Sequence, residues 1–250
     1  LIGFLILFSR FTLVIKLDVE KLKDMLSYSY PIFIFLIAFF FLNYLDRWMI
    51  NYFYTNEEVG LYSGIFRITS ILSIALLGSR LAFTPVALRN EDSSRQFSSL
   101  LHFIVFSLLL LSFLLICFDR AIISLILGNE YSETYNLLPF LLLSKIFLTI
   151  YVFSPGLEIN RETSKLIFIA FIPFIFGAFL SYLLTKSYGI LGAALASSLT
   201  SLAFISLYLK VNEYTGRVKY NWMGMFLSLS IFIVFCLAAF FCPENSTITE

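Results

Sequence analysis

Long apolar stretches alternate with short polar ones along the chain. A bilayer crossing needs about 20 mostly apolar residues. On that measure the runs predict spans at 1–15, 28–46, 60–86, 97–118, 137–157, 166–184, 190–209 and 222–241, the first one truncated. The intervening connectors, 16–27, 47–59, 88–96, 119–136, 158–165, 185–189 and 210–221, are each too short to fold as a soluble catalytic domain. The runs are continuous and lack a two-residue alternation, so they predict helices rather than barrel strands. The expected fold is all-α, a polytopic transmembrane helix bundle of about seven full spans plus a partial first one.

Two connectors are amphipathic. "LDVEKLKDMLSYSY" interleaves Leu17, Leu22, Met25 and Leu26 with Asp18, Glu20, Lys21, Lys23 and Asp24, and predicts a helix lying on the cytoplasmic face. "DRAIISLILGNEYSETYN" has an apolar helical core that Gly128-Asn129 is suited to end. The expected organisation is therefore 1–15 as the end of a preceding helix, 16–27 as a cytoplasmic linker, 28–241 as a transmembrane lobe and 242–250 as a polar tail.

Basic residues orient the bundle. Connectors in one alternate set carry Arg10, Lys16, Lys21, Lys23, Arg89, Arg95, Arg161, Lys165, Lys210, Arg217 and Lys219, while the other set holds only Arg47, Arg120 and Lys186. Eleven against three places the first set in the cytoplasm.

Composition agrees with the pattern. The chain is 60% hydrophobic and 13% charged, with 30 Phe and 14 Tyr, where soluble domains are about a quarter charged. Mean hydropathy is +0.91. The formal net charge of +1 gives no reason to expect a nucleic-acid partner. Cys117, Cys236 and Cys242 lie in or beside apolar runs without ligand spacing, and read as small core hydrophobes. His102 is the single histidine, placed for a packing role. Nucleophile-elbow serine, histidine pair, metal cluster and phosphate-binding glycine loop are all missing, so neither an enzyme nor a cofactor is expected. Leu1 opens inside an apolar run, which suggests the later portion of a longer membrane protein.

The charges buried in apolar sequence are the informative ones. Arg67, Arg80 and Lys145 fall inside predicted spans, where a cation costs about 2.5–3.5 kcal/mol on insertion scales. Lys145 lies near mid-span, Arg67 about two turns from the outer end, and Arg80 close enough to the cytoplasmic end to reach water. Acids are confined to span ends, at Asp46 and Glu158. Cations without embedded anions imply either acids supplied from a missing part of the protein or a hydrated cationic lumen that receives an anion. In "FLNYLDRWMINYF", Asp46 and Arg47 are either a boundary pair, with Arg47 reaching for the interface, or the mouth of the pathway.

Several segments together resemble the Wzx-type polysaccharide flippases of the MATE-like exporter superfamily. The resemblance covers about 17–210. It rests on Pro31, on Asp46, Arg47, Ile50 and Phe53 in an Asp-Arg-x-x-Ile-x-x-Phe pattern, and on Val59, Gly60, Tyr62 and Ser63. Further on, "ILGNEYSETYNLLPFLLLSKIF", "INRETSKLIFIA" and "KSYGILGAALASSLTSL" are similar to later family segments in order and spacing. It implies the C-terminal lobe of a two-lobed exporter in the bacterial inner membrane. The implied cargo is an undecaprenyl-pyrophosphate-linked oligosaccharide, such as an O-antigen unit, with the bilayer and other polysaccharide assembly proteins as partners. Lys145, Arg67 and Arg80 become candidate headgroup ligands, and Asp46 and Arg47 the pathway mouth. A multidrug-type exporter of the same superfamily, which favours embedded acids, and an integral-membrane glycan polymerase or acyltransferase are the alternatives.

Overall fold

Each helix begins and ends where local chemistry allows it. The computed structural model describes residues 18–89, 94–151, 157, 162–214 and 230, and within these only the backbone over 74–102 and at 129, 132, 133 and 149. The expected spans at 1–15 and 222–241 and the tail at 242–250 lie outside the described residues. All regular structure among the described residues is helical.

The first helix, α1, runs Val19–Phe53. Asp18 caps it by accepting the Lys21 amide at 3.3 Å. Residues 19–27, expected as a connector lying on the membrane surface, are instead the first turns of this one helix. At about 52 Å, α1 is longer than a hydrocarbon core. It stops at Tyr54, which is extended. Thr55 then opens α2, Asn56–Arg89, through a capping box in which Glu58 accepts the Thr55 amide at 2.9 Å. The expected connector 47–59 thus shrinks to two non-helical residues.

Helix α3, Ser94–Cys117, breaks at Phe118 into α4, Asp119–Ile126, bent 76° from it. Gly128 ends that turn with φ +97°, as the Gly-Asn pair predicts. A 3₁₀ stretch, Asn129–Leu137, leads into α5, Leu138–Ile150. Leu138, Leu141, Leu142, Ile146 and Phe147 are all buried, so α5 is surrounded by its neighbours.

The last element, α6, spans Ser164–Tyr214 but is non-helical at Gly189, φ +64° and ψ −143°. Two close approaches show it to be an antiparallel hairpin. A Cβ on Gly177 would meet Thr200 Cγ2 at 2.5 Å, and one on Gly192 would meet the Leu184 carbonyl at 2.0 Å. Both pairs are centred on 188–189, so arms 164–188 and 190–214 lie face to face. The small residues Gly192, Ala193, Ala194 and Ala196 allow it by letting backbones meet. Rings of Phe41 with Phe174 and Phe53 with Tyr182 run α1 alongside the first arm. Phe35 and Phe39 pack on Phe204 of the second.

Among the described residues, α1 and α6 are long and apolar enough to cross a membrane, and the bent α3–α4 pair makes a third if it counts as one crossing. Phe33, Phe103, Phe168, Ile175 and Phe179 are exposed, an outer surface too apolar for water.

Candidate functional site

The Tyr54 reversal decides which residues meet. In two antiparallel helices, positions equidistant from the turn pair up, and Asp46 and Tyr62 each stand eight positions from Tyr54. That puts both about 12 Å below the turn. Asp46 is 4% exposed and Tyr62 is fully buried. The Tyr62 hydroxyl donates to Asp46 Oδ2, and the Arg47 amide donates to Oδ1 at 2.9 Å. Asp46 is therefore not a boundary residue. The apolar run falters at 46, but the helix continues to Phe53 and carries the acid inside the bundle.

Two cations converge beside it. Lys145, on α5 and 8% exposed, holds its Nζ 3.7 Å from the centre of the Phe66 ring. The Arg47 guanidinium lies 3.7 Å from the same ring and 4.8 Å from that of Tyr44. Aromatic faces are negative and attract cations, so Phe66 collects two positive groups from different helices. Asp46 attracts Lys145 and Arg47 repels it. The Arg47 Nε is buried without a hydrogen-bond partner.

Lys145 and Phe66 help wall an open-sided cleft of about 290 Å³, with Leu36, Phe39, Phe40, Asn43 and Tyr44, and Arg47 touches two of these walls, the rings of Phe66 and Tyr44. Pockets for whole drug-sized ligands start near 300 Å³, so this one suits a headgroup or a sugar ring, with a longer ligand running out of its open side. Its walls are largely aromatic, and Lys145 is the charged residue among them.

Behind the cleft runs a hydroxyl chain. The Ser197 and Ser144 hydroxyls lie 2.9 Å apart. Ser201 donates to the Ser197 carbonyl, and its oxygen lies 2.8 Å from the Ser144 hydroxyl. Buried hydroxyls need such partners, and here they join α5 to the second arm of α6.

The sequence-derived candidates divide accordingly. Asp46, Arg47 and Lys145 come together. Arg67 is exposed, because one helical step beyond Phe66 turns it away from the cleft. Arg80 lies on α2, and its side chain is outside the described residues. The reading from sequence that acids stay at span ends fails at Asp46, and with it the idea of cations without any buried anion. Tyr62, Phe66, Ser144, Ser197 and Ser201 were missed as site residues. The eight-residue symmetry about Tyr54 would have found Tyr62 once the turn was placed.

Residues 1–136 match the polysaccharide biosynthesis protein family. That is more than half of the 250 residues. The chain belongs to this family. The matched part carries Asp46, Arg47, Tyr62 and Phe66, while Lys145 lies beyond it. No curated protein and no solved structure matches the chain. Family and apolar helices together make this a membrane protein of polysaccharide biosynthesis.

Proposed function

We propose that this polysaccharide biosynthesis protein is a flippase lobe that carries a lipid-linked oligosaccharide, headgroup first, across the bacterial cytoplasmic membrane. The cargo class is an undecaprenyl-pyrophosphate glycan such as an O-antigen unit. The observation that carries this reading is the convergence of Arg47 and Lys145 on Phe66 at an open cleft. A pyrophosphate takes charge-assisted hydrogen bonds from guanidinium and ammonium donors, and the buried Arg47 Nε has a donor to give. Phe39, Phe40 and Tyr44 offer flat apolar faces for a sugar ring, and the polyprenyl chain stays in lipid. Transport follows from alternating exposure of the cleft as two lobes rock about the midplane. We assign no catalytic step to the chain.

Asp46 gives a multidrug-type exporter of cations one point in its favour, since a buried acid can receive a cation. Two cations stand against that acid, so the cleft remains net positive and favours an anion.

Export in cells tests the proposal. A charge-assisted hydrogen bond is worth about 1.5–3 kcal/mol, so losing one weakens headgroup binding about tenfold or more. Lys145→Ala and Arg47→Ala should each sharply reduce surface polysaccharide while the exposed Arg67→Ala has the smallest effect. Wild-type surface polysaccharide with both Lys145→Ala and Arg47→Ala at normal protein levels retires the anion cleft.

A further inference from the structure

The stretch of α1 that leads away from the cleft repeats itself. In "NYLDRWMINYF", Asn43 to Phe53, a planar hydrogen-bonding side chain stands beside an aromatic ring at 43–44, again at 47–48 and again at 51–52. Positions four apart share a helix face, and four residues rise about 6 Å. Asn43-Tyr44, Arg47-Trp48 and Asn51-Tyr52 therefore climb α1 on successive turns, from the cleft that Asn43 and Tyr44 help wall to the Tyr54 reversal. All three rings are open to the outside, Tyr44 at 40%, Trp48 at 50% and Tyr52 at 76% exposure. Each is braced by a neighbouring ring: Tyr44 by Phe40 with centroids 4.6 Å apart, Trp48 by Phe41 at 5.2 Å and Tyr52 by Phe53 at 5.0 Å. Asn43 gives one amide hydrogen to the Phe39 carbonyl at 2.9 Å, which leaves its amide oxygen for another partner. Asn51 is exposed.

Contact with acyl chains does not explain this pattern. Polar side chains turned toward hydrocarbon are costly, and the molecule shows elsewhere what a surface suited to lipid looks like. Between 168 and 179 on the first arm of α6, the exposed residues are Phe168, Phe171, Ile172, Ile175, Phe176 and Phe179, every one apolar. An aromatic belt at the membrane surface would account for Tyr52. It would not account for Tyr44, ten positions and about 15 Å below Tyr54, nor for a polar partner at each turn.

We propose that the repeat is a carbohydrate track, three subsites for consecutive sugar rings of an oligosaccharide, running along α1 from the cleft to the Tyr54 end. A pyranose has an apolar C–H face and a rim of hydroxyls. The face stacks on Tyr44, Trp48 or Tyr52, and the rim exchanges hydrogen bonds with the Asn43 and Asn51 amides and receives them from the Arg47 guanidinium. A polyprenyl tail forms no hydrogen bonds and so leaves the polar half of the repeat unused. That the track starts at a headgroup seat rests on the function proposed above; that it binds sugar does not.

Trp48 can report on the track directly. Trp222→Phe leaves it as the one tryptophan of the chain, and the full chain is placed in lipid nanodiscs. The probe is oligosaccharide released by mild acid from the surface polysaccharide of the strain that carries the protein, free of lipid pyrophosphate. We expect a saturable change in Trp48 emission. Asn51→Ala and Tyr52→Leu should raise the half-saturating concentration about three- to tenfold, the range for losing one hydrogen bond or one stacked ring, at wild-type Tm. Tyr52→Phe, which keeps the ring, should restore binding, and Phe179→Leu should leave it unchanged. Flat Trp48 emission overturns the track, as does wild-type affinity in both Asn51→Ala and Tyr52→Leu. Inorganic pyrophosphate, titrated separately and read by Tm, tests the cleft. A pyrophosphate response that Lys145→Ala removes, without an oligosaccharide response, discards the track and keeps the cleft. An oligosaccharide response without a pyrophosphate response keeps the track and discards the cleft.

Discussion

Tyr62 donates the hydroxyl that satisfies Asp46 in a place where water has been removed. A carboxylate in such surroundings is tolerable only when its lone pairs are occupied and opposite charge is near. Asp46 has Tyr62, the Arg47 amide and the field of Lys145. Tyr62→Phe keeps the ring and its packing and deletes only the donor. The cost of leaving a buried acceptor short is about 1–3 kcal/mol, so purified Tyr62→Phe should unfold measurably earlier than wild type on a thermal ramp in detergent. An unchanged Tm would mean that the pair contributes nothing to the fold. At this scale sequence went part of the way. It flagged Asp46, Arg47 and Lys145 because charge in apolar sequence is costly, but it put the acid at a helix end. Nothing in the letters told a helix stop at 46 from one at 53, since Asn51 and Tyr52 look like interface residues.

Among elements, the α6 hairpin depends most on what is missing from its side chains. Gly192 brings the second arm against the Leu184 carbonyl, where even a methyl would sit 2.0 Å from the oxygen. Backbone cannot swing aside as a side chain can, so Gly192→Ala must open the turn. Overpacking of this kind costs about 1–3 kcal/mol. Gly60 is the contrasting case, with nothing within 4 Å of its virtual Cβ. Inside a helix, replacing such a glycine by alanine gains about 0.5–1 kcal/mol in backbone entropy. Gly192→Ala should therefore lower Tm and Gly60→Ala raise it slightly, and the same result from both would contradict the close packing of the arms. Apolar run lengths had already separated 166–184 from 190–209, because Lys186, Ser187 and Tyr188 interrupt them. They did not show that Tyr54 closes over that turn, donating to the Thr185 carbonyl at 3.2 Å. That contact joins positions 131 residues apart, and no local pattern encodes it.

For the molecule as a whole, packing sorts the connectors into two ends without reference to a membrane. Tyr54 meets the 185–189 turn, and Gly64 near the start of α2 abuts Leu127 and Tyr131, so 54–55, 127–131 and 185–189 share one end. At the other, Lys165 lies 5.7 Å from the Tyr214 ring and pairs with Glu162, bringing both tips of α6 together, and α1 starts toward this end because it runs in the same direction as the first arm. These are the two groups that alternate connectors predict. Packing alone does not say which end faces the cytoplasm; the expectation comes from charge. The first end carries Arg120 and Lys186, with Arg47 set deeper along α1, while the second carries Lys21, Lys23, Lys165 and Lys210 among a larger basic set, and excess Lys and Arg stay inside. Single cysteines at the exposed positions Glu57, Glu130 and Lys186, in a background lacking the native cysteines, should react with an impermeant maleimide on intact cells. Cysteines at Lys21 and Lys210, also exposed, should react only after permeabilisation. The reverse pattern would invert the orientation while keeping the fold. A mixture within either group would break the hairpin pairing itself, because Tyr54 and Thr185 cannot share a hydrogen bond from opposite sides of a bilayer.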